Sequence, residues 1–257
     1  MDLNFKVFGQ GDPVIILHGL FGTLDNWQTF AKQLSETHSV YILDQRNHGR
    51  SPHVDTLSYP EMADDLAKFM QTQGMFQATV LGHSMGGKTA MQFALNHPDL
   101  LEKLIVVDIA PKAYAGGHES IFEALLSLNL TEMHSRSDAE AYLAPRIPER
   151  GVRQFLLKNF TRDKAGGYVW KMNLPAIHRA YPNILDTVRG ESESYDGPTL
   201  FVRGGKSRYV QDEDVPVIRR YFPNMRLETV AEAGHWVHAE APDRLLRIVR
   251  TFLEEEG

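Results

Sequence analysis

The chain has 257 residues, of which 42% are hydrophobic and 23% are charged, and this composition favours a folded globular protein over a disordered one. Its net charge of -6 argues against a nucleic-acid-binding protein, because such proteins need a basic face. The absence of cysteine excludes disulfides, thiolate metal sites and a cysteine nucleophile. No apolar run is long enough to span a membrane, and the first residues lack the pattern of a signal peptide. We therefore expect a cytoplasmic protein of undefined oligomeric state.

Short apolar runs rich in β-branched residues alternate with longer amphipathic stretches along most of the chain. The apolar runs predict seven strands, at residues 3–8, 14–17, 40–43, 78–81, 104–107, 199–202 and 226–230. The amphipathic stretches predict helices at residues 25–35, 60–73, 85–96, 212–221 and 242–254. The central runs are apolar throughout, as expected of strands that are covered on both faces. This alternation predicts an α/β fold with a mainly parallel sheet.

The alternation stops between residues 111 and 190, where the pattern is helical without intervening strands. We predict that residues 111–190 form a helical lid, inserted into a core that consists of residues 1–110 and 191–257. The pair Gly116-Gly117 near the start of this insert is either a plain turn or a hinge for the lid.

The sequence Gly82-His83-Ser84-Met85-Gly86 follows a predicted strand and opens a predicted helix. This pattern is typical of a nucleophile elbow, in which a serine lies on a strained turn with its hydroxyl exposed. The amide of Met85 would lie at the N-terminus of the helix, where it can bind an oxyanion. The alternative is an ordinary glycine-rich turn, but the strand before the motif and the helix after it favour the elbow.

The loop from His18 to Gly22 contains two glycines and follows the predicted strand at residues 14–17. In hydrolases with a nucleophile elbow, the loop after this strand supplies the second amide of the oxyanion hole. We predict that the amide of Leu20 has this role, with the amide of Phe21 as the alternative.

A general base for Ser84 must be a histidine that can reach the serine hydroxyl. The chain has 11 histidines, so residue type alone does not identify the base. His235 lies between the last predicted strand and the last predicted helix, at the sheet edge where the sites of α/β proteins form. We therefore predict His235 as the base and keep His238 as the alternative.

Five motifs together resemble the α/β-hydrolase fold, with nucleophile, acid and histidine in that chain order: residues 18–26, 44–51, 82–88, 108–111 and 234–240. Within that fold they are similar to the esterase family of bacterial YbfF and its animal mitochondrial relatives. The discriminating residue is Asn47, because most of the superfamily carries glycine at that position. The resemblance covers essentially the whole chain. It implies hydrolysis of carboxylic esters, including acyl-CoA thioesters, with no cofactor.

The acid that orients the histidine has two candidate positions. One is the loop after the predicted strand at residues 199–202, but Ser207 stands about where a carboxylate is expected, and Asp212 resembles a helix N-cap. The other is Asp108, which directly follows a predicted apolar strand, where a carboxylate needs a partner such as an imidazolium. The resemblance also implies an acid at Asp108. We predict Asp108, with Asp212 or Asp214 as the alternative.

These residues predict a serine hydrolase that cleaves small-molecule acyl esters or acyl-CoA through an acyl-enzyme intermediate. In this mechanism Ser84 attacks the acyl carbonyl, His235 accepts the serine proton, and Asp108 stabilises the imidazolium. One alternative is a cofactor-free perhydrolase, which uses the same triad with peroxide in place of water. The other is a non-enzymatic ligand-binding protein, because a fold does not determine a function.

The predicted lid differs in charge from the rest of the chain. Residues 111–190 contain 11 Lys and Arg against 8 Asp and Glu, whereas the whole chain is acidic. A basic lid could attract an anionic leaving group such as coenzyme A. The alternative is a solvated helical surface with no role in binding, because the charge bias is small.

Overall fold

Residues 1–255 of the chain are described in a computed structural model. Its strands are, in chain order, β1 (Phe5–Phe8), β2 (Pro13–Leu17), β3 (Ser39–Leu43), β4 (Ala78–His83), β5 (Leu101–Val107), β6 (Phe160–Arg162), β7 (Tyr168–Trp170), β8 (Thr199–Gly204) and β9 (Met225–Val230). Seven of them form one sheet in the order β1-β3-β2-β4-β5-β8-β9, and β6 and β7 form a separate hairpin. Within the sheet, β1 is antiparallel to β3 and the other neighbours are parallel. The predicted mainly parallel α/β fold is confirmed, and each predicted strand has a counterpart.

Helices cover both faces of the sheet. In chain order they are α1 (Gln28–Leu34), α2 (Tyr59–Thr72), α3 (Met85–Asn96), α4 (Glu119–Leu126), α5 (Arg136–Leu143), α6 (Arg150–Leu156), α7 (Leu174–Arg179), α8 (Tyr181–Leu185), α9 (Val215–Tyr221), α10 (Val237–Glu240) and α11 (Pro242–Glu254). Helices α2, α3 and α9 contribute to the hydrophobic core on one face, and α1, α10 and α11 contribute to the core on the other. Among residues 1–255, no helix is both long and apolar enough to cross a membrane.

Strand β5 shows why the central strands are apolar at successive positions. Leu104 and Val106 are buried in the core on the side of α2 and α3, whereas Ile105 and Val107 are buried in the core on the side of α1 and α11. Successive side chains of a strand point to opposite faces of the sheet. A strand between two helical layers therefore needs apolar residues on both faces, and so at successive positions. Complete burial of each such side chain contributes about 2 kcal/mol of hydrophobic free energy.

The insert at residues 111–190 contains helices α4 to α8 and also the hairpin of β6 and β7. The expectation that this segment has no strands is therefore wrong. Phe160 in β6 stacks on Tyr168 in β7, with the ring centroids 4.4 Å apart. The turn is closed by Asp163, whose side chain accepts hydrogen bonds from the amides of Ala165 and Gly167. Aromatic cross-strand pairing and a side-chain-stabilised turn support these three-residue strands.

The insert has a hydrophobic core that is continuous with residues outside it. Phe122 and Leu156 of the insert belong to the same buried cluster as Tyr59 and Met85, which lie at the starts of α2 and α3. The hydroxyl of Tyr59 also donates to the carbonyl of Ile184 at 2.7 Å. The insert is thus packed directly over the first residues of α3, the helix that follows Ser84.

The buried carboxylate of Asp44, at the end of β3, connects three parts of the chain. Its Oδ1 accepts a hydrogen bond from the amide of Leu24 at 2.8 Å. Its Oδ2 accepts from the amide of Arg50 at 2.9 Å and from the side-chain amide of Asn4 at 2.7 Å. A charged acceptor with three buried or half-buried donors stabilises both the carboxylate and the loops that carry the donors.

Replacement of Asp44 by alanine is expected to lower the free energy of unfolding by about 3 kcal/mol, because three donors lose a charged acceptor in the protein interior. Urea denaturation measures this change. Asp25→Ala is the matched control, because Asp25 is half exposed and pairs with Lys6 at the surface. That control is expected to change stability by less than about 0.5 kcal/mol. Equal losses in the two variants would contradict the structural role of Asp44.

Candidate active site

The loops after five parallel strands meet at one edge of the sheet, because parallel strands place their carboxyl ends on the same side. These loops carry Leu20 after β2, Ser84 after β4, Asp108 after β5, Ser207 after β8 and His235 after β9. The structure therefore brings the predicted site residues together, although they are far apart in the sequence.

Ser84 lies on a sharp turn between β4 and α3, with φ of 53° and ψ of -120°. A non-glycine residue in this region is strained, and the strain persists only where the surroundings enforce it. A β-carbon at Gly82 would lie 2.1 Å from the carbonyl oxygen of Gly86, and one at Gly86 would lie 2.4 Å from that of Leu17. Both positions therefore require glycine, which explains why the motif has glycine on either side of the serine.

A continuous line of hydrogen bonds connects the nucleophile candidate to a buried carboxylate. His235 Nε2 lies 3.0 Å from Ser84 Oγ, and His235 Nδ1 lies 2.7 Å from Asp108 Oδ2. The side chain of Asp108 is fully buried, whereas that of His235 is 22% exposed. With Nδ1–H donated to the carboxylate, the neutral ring presents an unprotonated Nε2 to the serine hydroxyl.

Asp108 accepts two further hydrogen bonds, both from the loop region that ends β8. The amide of Gly204 donates to Oδ1 at 2.9 Å, and the hydroxyl of Ser207 donates to Oδ2 at 2.5 Å. The contact between Ser207 and Asp108 was not predicted from the sequence, where Ser207 was noted only as a residue in the place of a carboxylate. Strands β5 and β8 are neighbours, so the loop after β8 lies beside Asp108. The position of Ser207 in that loop could therefore have indicated the contact.

The alternative acids are engaged elsewhere. Asp212 is highly exposed and pairs with Arg203 at 2.7 Å. Asp214 pairs with Lys112 at 2.6 Å and accepts a hydrogen bond from the amide of Gln211. The predicted N-cap role of Asp212 is wrong, because Gln211 precedes this short helical turn and the carboxylate of Asp214 receives the capping bond.

The ring of His235 is held between aromatic neighbours. Tyr209 stacks on it with the ring centroids 4.0 Å apart. The ring of His83 lies 4.8 Å from that of His235, and His83 Nε2 lies 2.9 Å from the carbonyl oxygen of His235. Burial holds the pKa of His83 well below its ordinary value, so the neutral ring donates its Nε2–H to that carbonyl. These contacts restrict both the ring and the backbone of His235.

His238, the alternative base, lies in a different environment. Its ring stacks on Trp27 with the centroids 4.4 Å apart. Burial, with smaller contributions from the neighbouring His235 and Lys158, lowers the pKa of His238 to about 3. The structure therefore brings His235, and not His238, into hydrogen-bond contact with Ser84.

The loop that carries Leu20 lies directly against the nucleophile candidate. A β-carbon at Gly19 would lie 3.2 Å from the β-carbon of Ser84. The amide of Gly22 closes a turn onto the carbonyl of Gly19 at 2.9 Å, and Phe21 in this turn has a positive φ of 60°. Among residues 1–255, no acceptor is bonded to the amide of Leu20. Within the same residues, the amides of Phe21, the alternative, and of Met85 at the start of α3 likewise have no acceptor, so all three amides are available to a ligand.

His18 holds this loop in its conformation. Its Nδ1 donates to the carbonyl of Gly19 at 2.8 Å, and its Nε2 accepts from the amide of Gln45 at 3.0 Å. Burial lowers the pKa of His18 to about 4, so the ring is neutral near pH 7 and can be donor and acceptor at once. His18 is thus a scaffold residue rather than a second base.

Two cavities meet at Ser84. The larger, of about 260 Å³, is mainly apolar and includes side chains of α6 such as Val152 and Phe155. The smaller, of about 40 Å³, extends towards Lys88 at the other side of the nucleophile candidate. Within residues 1–255, no group of three or more His, Asp or Glu residues is arranged to hold a metal ion.

Comparison with known proteins reveals clear relatives. The model of the alpha/beta hydrolase fold family matches residues 12–242. Esterase YbfF of Escherichia coli is 38% identical, and the match covers 96% of this chain and 94% of that protein. The sn-1-specific diacylglycerol lipase ABHD11 of Danio rerio is 37% identical, with 99% of this chain and 83% of that protein covered. The solved structure of a marine microorganism esterase superposes with a TM-score of 0.96 and 42% identity, over 98% of this chain and 99% of that one.

These similarities confirm the resemblance to the esterase family of YbfF, and they extend over nearly the whole chain. The chain therefore belongs to the alpha/beta hydrolase fold family and is a hydrolase of the esterase and lipase type.

Proposed function

We propose that the protein hydrolyses carboxylic esters through a Ser84-His235-Asp108 triad and an acyl-enzyme intermediate. The observation that supports this most directly is the pair of hydrogen bonds, 3.0 Å and 2.7 Å long, that connect Ser84 to Asp108 through His235. Nucleophile, base and orienting acid in hydrogen-bond contact are the general signature of nucleophilic catalysis. The names of the related esterases and lipases point to the same chemistry.

In the acylation step, Ser84 Oγ forms a bond to the acyl carbon while its proton moves to His235 Nε2. The carbonyl oxygen becomes an oxyanion and accepts hydrogen bonds from the amides of Leu20 and Met85. When the bond to the leaving group breaks, the imidazolium returns the proton to the departing oxygen or sulfur. A water molecule then attacks the acyl-enzyme with His235 again as the base, which releases the acid and regenerates Ser84.

Asp108 has two roles in this mechanism. It fixes the tautomer of His235, because its Oδ2 takes the Nδ1–H, and it stabilises the positive charge that the ring acquires. A fully buried carboxylate is costly unless it is hydrogen-bonded. Its contacts with Gly204 and Ser207 supply that stabilisation even when the imidazole is neutral.

We propose that residues 111–190 act as a lid that forms part of the substrate cavity. Ile121, Val152, Phe155 and Leu156 come from this segment and line the larger cavity. Such apolar walls suit the hydrocarbon part of an ester and limit the access of water to the acyl-enzyme.

We further propose that acyl-CoA thioesters are among the substrates. The same triad attacks esters and thioesters, because both present an acyl carbon and release a leaving group. The basic bias of the insert is the feature that favours an anionic leaving group. Arg150 and Lys158 are exposed on this segment and carry charges that can act on an approaching anion. Arg153 is excluded from this role, because it pairs with Glu140 at 2.7 Å.

Ser84→Ala is expected to lower kcat for p-nitrophenyl butyrate at least about a thousandfold, because it removes the nucleophile. Steady-state kinetics on the purified variant measures the loss, and circular dichroism checks that the fold is kept. Ser127→Ala, which changes an exposed serine of the insert, is the matched control and is expected to retain full activity. Hydrolysis by the Ser84 variant at the rate of the control would overturn the proposed mechanism.

Asp108→Asn is expected to lower kcat by about ten-thousandfold, because the amide favours the wrong tautomer of His235. Asp212→Asn is the matched control: it removes an exposed carboxylate from the alternative position and is expected to change kcat by less than about twofold. The same ester assay compares both variants. A larger loss in the Asp212 variant would move the acid to the loop after β8.

Activity is expected to fall on acidification, because protonated His235 cannot accept the proton of Ser84. His238, with a pKa of about 3, and His18, with a pKa of about 4, are already neutral above about pH 5 and do not contribute to a loss of activity above that pH. His238→Gln should therefore keep the acid limb of kcat/KM, whereas His235→Gln should be inactive at every pH. An acid limb that disappears with His238 would identify that residue as the base.

If the insert attracts acyl-CoA, kcat/KM for butyryl-CoA should fall as NaCl is added, while kcat/KM for p-nitrophenyl butyrate should not respond. Reversal of charge in Arg150→Glu and Lys158→Glu should weaken only the reaction of butyryl-CoA. Lys68→Glu, on the exposed side of α2, is the control for a change of total charge. The same salt response for both substrates would contradict electrostatic attraction by the insert.

A further inference from the structure

His118 is the residue of segment 111–190 that lines both cavities at Ser84. The other residues shared by the two cavities are Leu20, Ser84 and Tyr209, all from the core of the protein. Because the nucleophile candidate lies where the cavities meet, a bound ester would extend its acyl group into one cavity and its leaving group into the other. The scissile bond would then lie beside His118.

The contacts of His118 with Tyr181 determine which ring nitrogen carries the proton. The backbone amide of His118 donates to the hydroxyl oxygen of Tyr181 at 3.1 Å, so this oxygen is already an acceptor. His118 Nδ1 lies 2.8 Å from the same oxygen. The Tyr181 hydroxyl both accepts and donates a hydrogen bond when it accepts from the backbone amide and donates its own proton to Nδ1. Nδ1 is then an acceptor, and the neutral ring of His118 carries its proton on Nε2.

The Nε2–H of His118 is available to a ligand. Among residues 1–255, His118 Nε2 has no hydrogen-bond partner in the protein. It is also not among the buried polar atoms that lack a partner, so a ligand can reach it. Burial, with a smaller contribution from the neighbouring His235, lowers the pKa of His118, so the ring is neutral near pH 7. The ring is also fixed by edge contacts with Phe21 and Tyr181, with centroid separations of 6.1 Å and 5.7 Å.

We propose that His118 is a substrate-binding residue whose Nε2–H donates a hydrogen bond to the leaving-group oxygen of the ester. This inference rests on the proposed ester hydrolysis at Ser84. The carbonyl oxygen of the substrate already has the amides of Leu20 and Met85 as donors, whereas the leaving-group oxygen has only the proton held by His235. An alkoxide oxygen has more than one lone pair, so it can take that proton and accept from His118 at the same time. No proton is transferred from His118.

The proposal predicts a dependence on the leaving group that a purely structural role would not produce. In the transition state, more negative charge develops on a poor leaving group such as ethoxide than on p-nitrophenolate. A hydrogen-bond donor therefore stabilises the transition state of an ethyl ester more than that of a p-nitrophenyl ester. Loss of one such hydrogen bond lowers kcat/KM by about tenfold. If His118 only packs against Phe21 at the start of α4, its replacement should affect both substrates equally.

The test compares His118→Phe, which keeps an aromatic ring without a donor, with His118→Gln, whose amide nitrogen can reach the position of Nε2. For ethyl butyrate, we expect kcat/KM to fall about tenfold in the Phe variant and to stay within about threefold of the wild type in the Gln variant. For p-nitrophenyl butyrate, we expect both variants to stay within about twofold. Equal losses on the two esters, equal losses in the two variants, or no loss at all would overturn the proposal.

Two further measurements separate this inference from the proposed function. The rate at which a fluorophosphonate labels Ser84 depends on the serine and His235, and its fluoride leaving group should make it insensitive to His118→Phe. Failure of the wild-type protein to react would refute the proposed serine mechanism itself. Tyr181→Phe leaves the imidazole in place but removes the proton donor to Nδ1. It should lower the reaction of ethyl butyrate selectively, and an unchanged selectivity in this variant would contradict the assigned tautomer.

Discussion

The carboxylate of Asp108 is completely buried, and two segments of the chain contribute three hydrogen-bond donors to it. The donors are the amide of Gly204 at the end of β8, the hydroxyl of Ser207 in the following loop, and the ring of His235 after β9. Burial of an unpaired charge would cost several kcal/mol, so these donors stabilise the carboxylate and fix the loops relative to one another. Ser84 is connected to the same carboxylate through His235. The geometry of the site therefore depends on a charge that the fold has fully enclosed.

Close packing around the elbow connects this site to the rest of the fold. Gly82 and Gly86 admit no side chain, because each lies against the backbone of a neighbouring segment. The insert is joined to the same region: the side-chain amide of Asn159 donates to the carbonyl of Phe21 at 2.7 Å, beside the amide of Leu20. A displacement of the insert would therefore be transmitted to the loop that carries Leu20 as well as to the larger cavity at Ser84. We regard residues 111–190 as part of the proposed catalytic site for this reason.

The sequence predicted the central strands because buried parallel strands are apolar on both faces. It predicted Ser84 because this residue directly follows such a strand, and His235 because it lies in the loop between the last strand and the last helix. The hairpin at β6 and β7 escaped prediction, since strands of three residues are too short to show a periodic pattern. The bond between Ser207 and Asp108 joins residues 99 positions apart, and local patterns carry no information about such a contact. The contacts of His118 with Tyr181 and Phe21 also join distant positions, so the sequence did not predict them either.

The most direct test of the account is to trap the acyl-enzyme. Release of p-nitrophenolate is fast because it is a good leaving group, so hydrolysis of the acyl-enzyme should be the slower step and the intermediate should accumulate. Rapid acid quenching of the reaction with p-nitrophenyl butyrate, followed by mass spectrometry of the protein and its peptides, would detect it. The proposed mechanism predicts a single butyryl group on the peptide that contains Ser84. Turnover with no acylated protein, or a butyryl group attached to another residue, would contradict it.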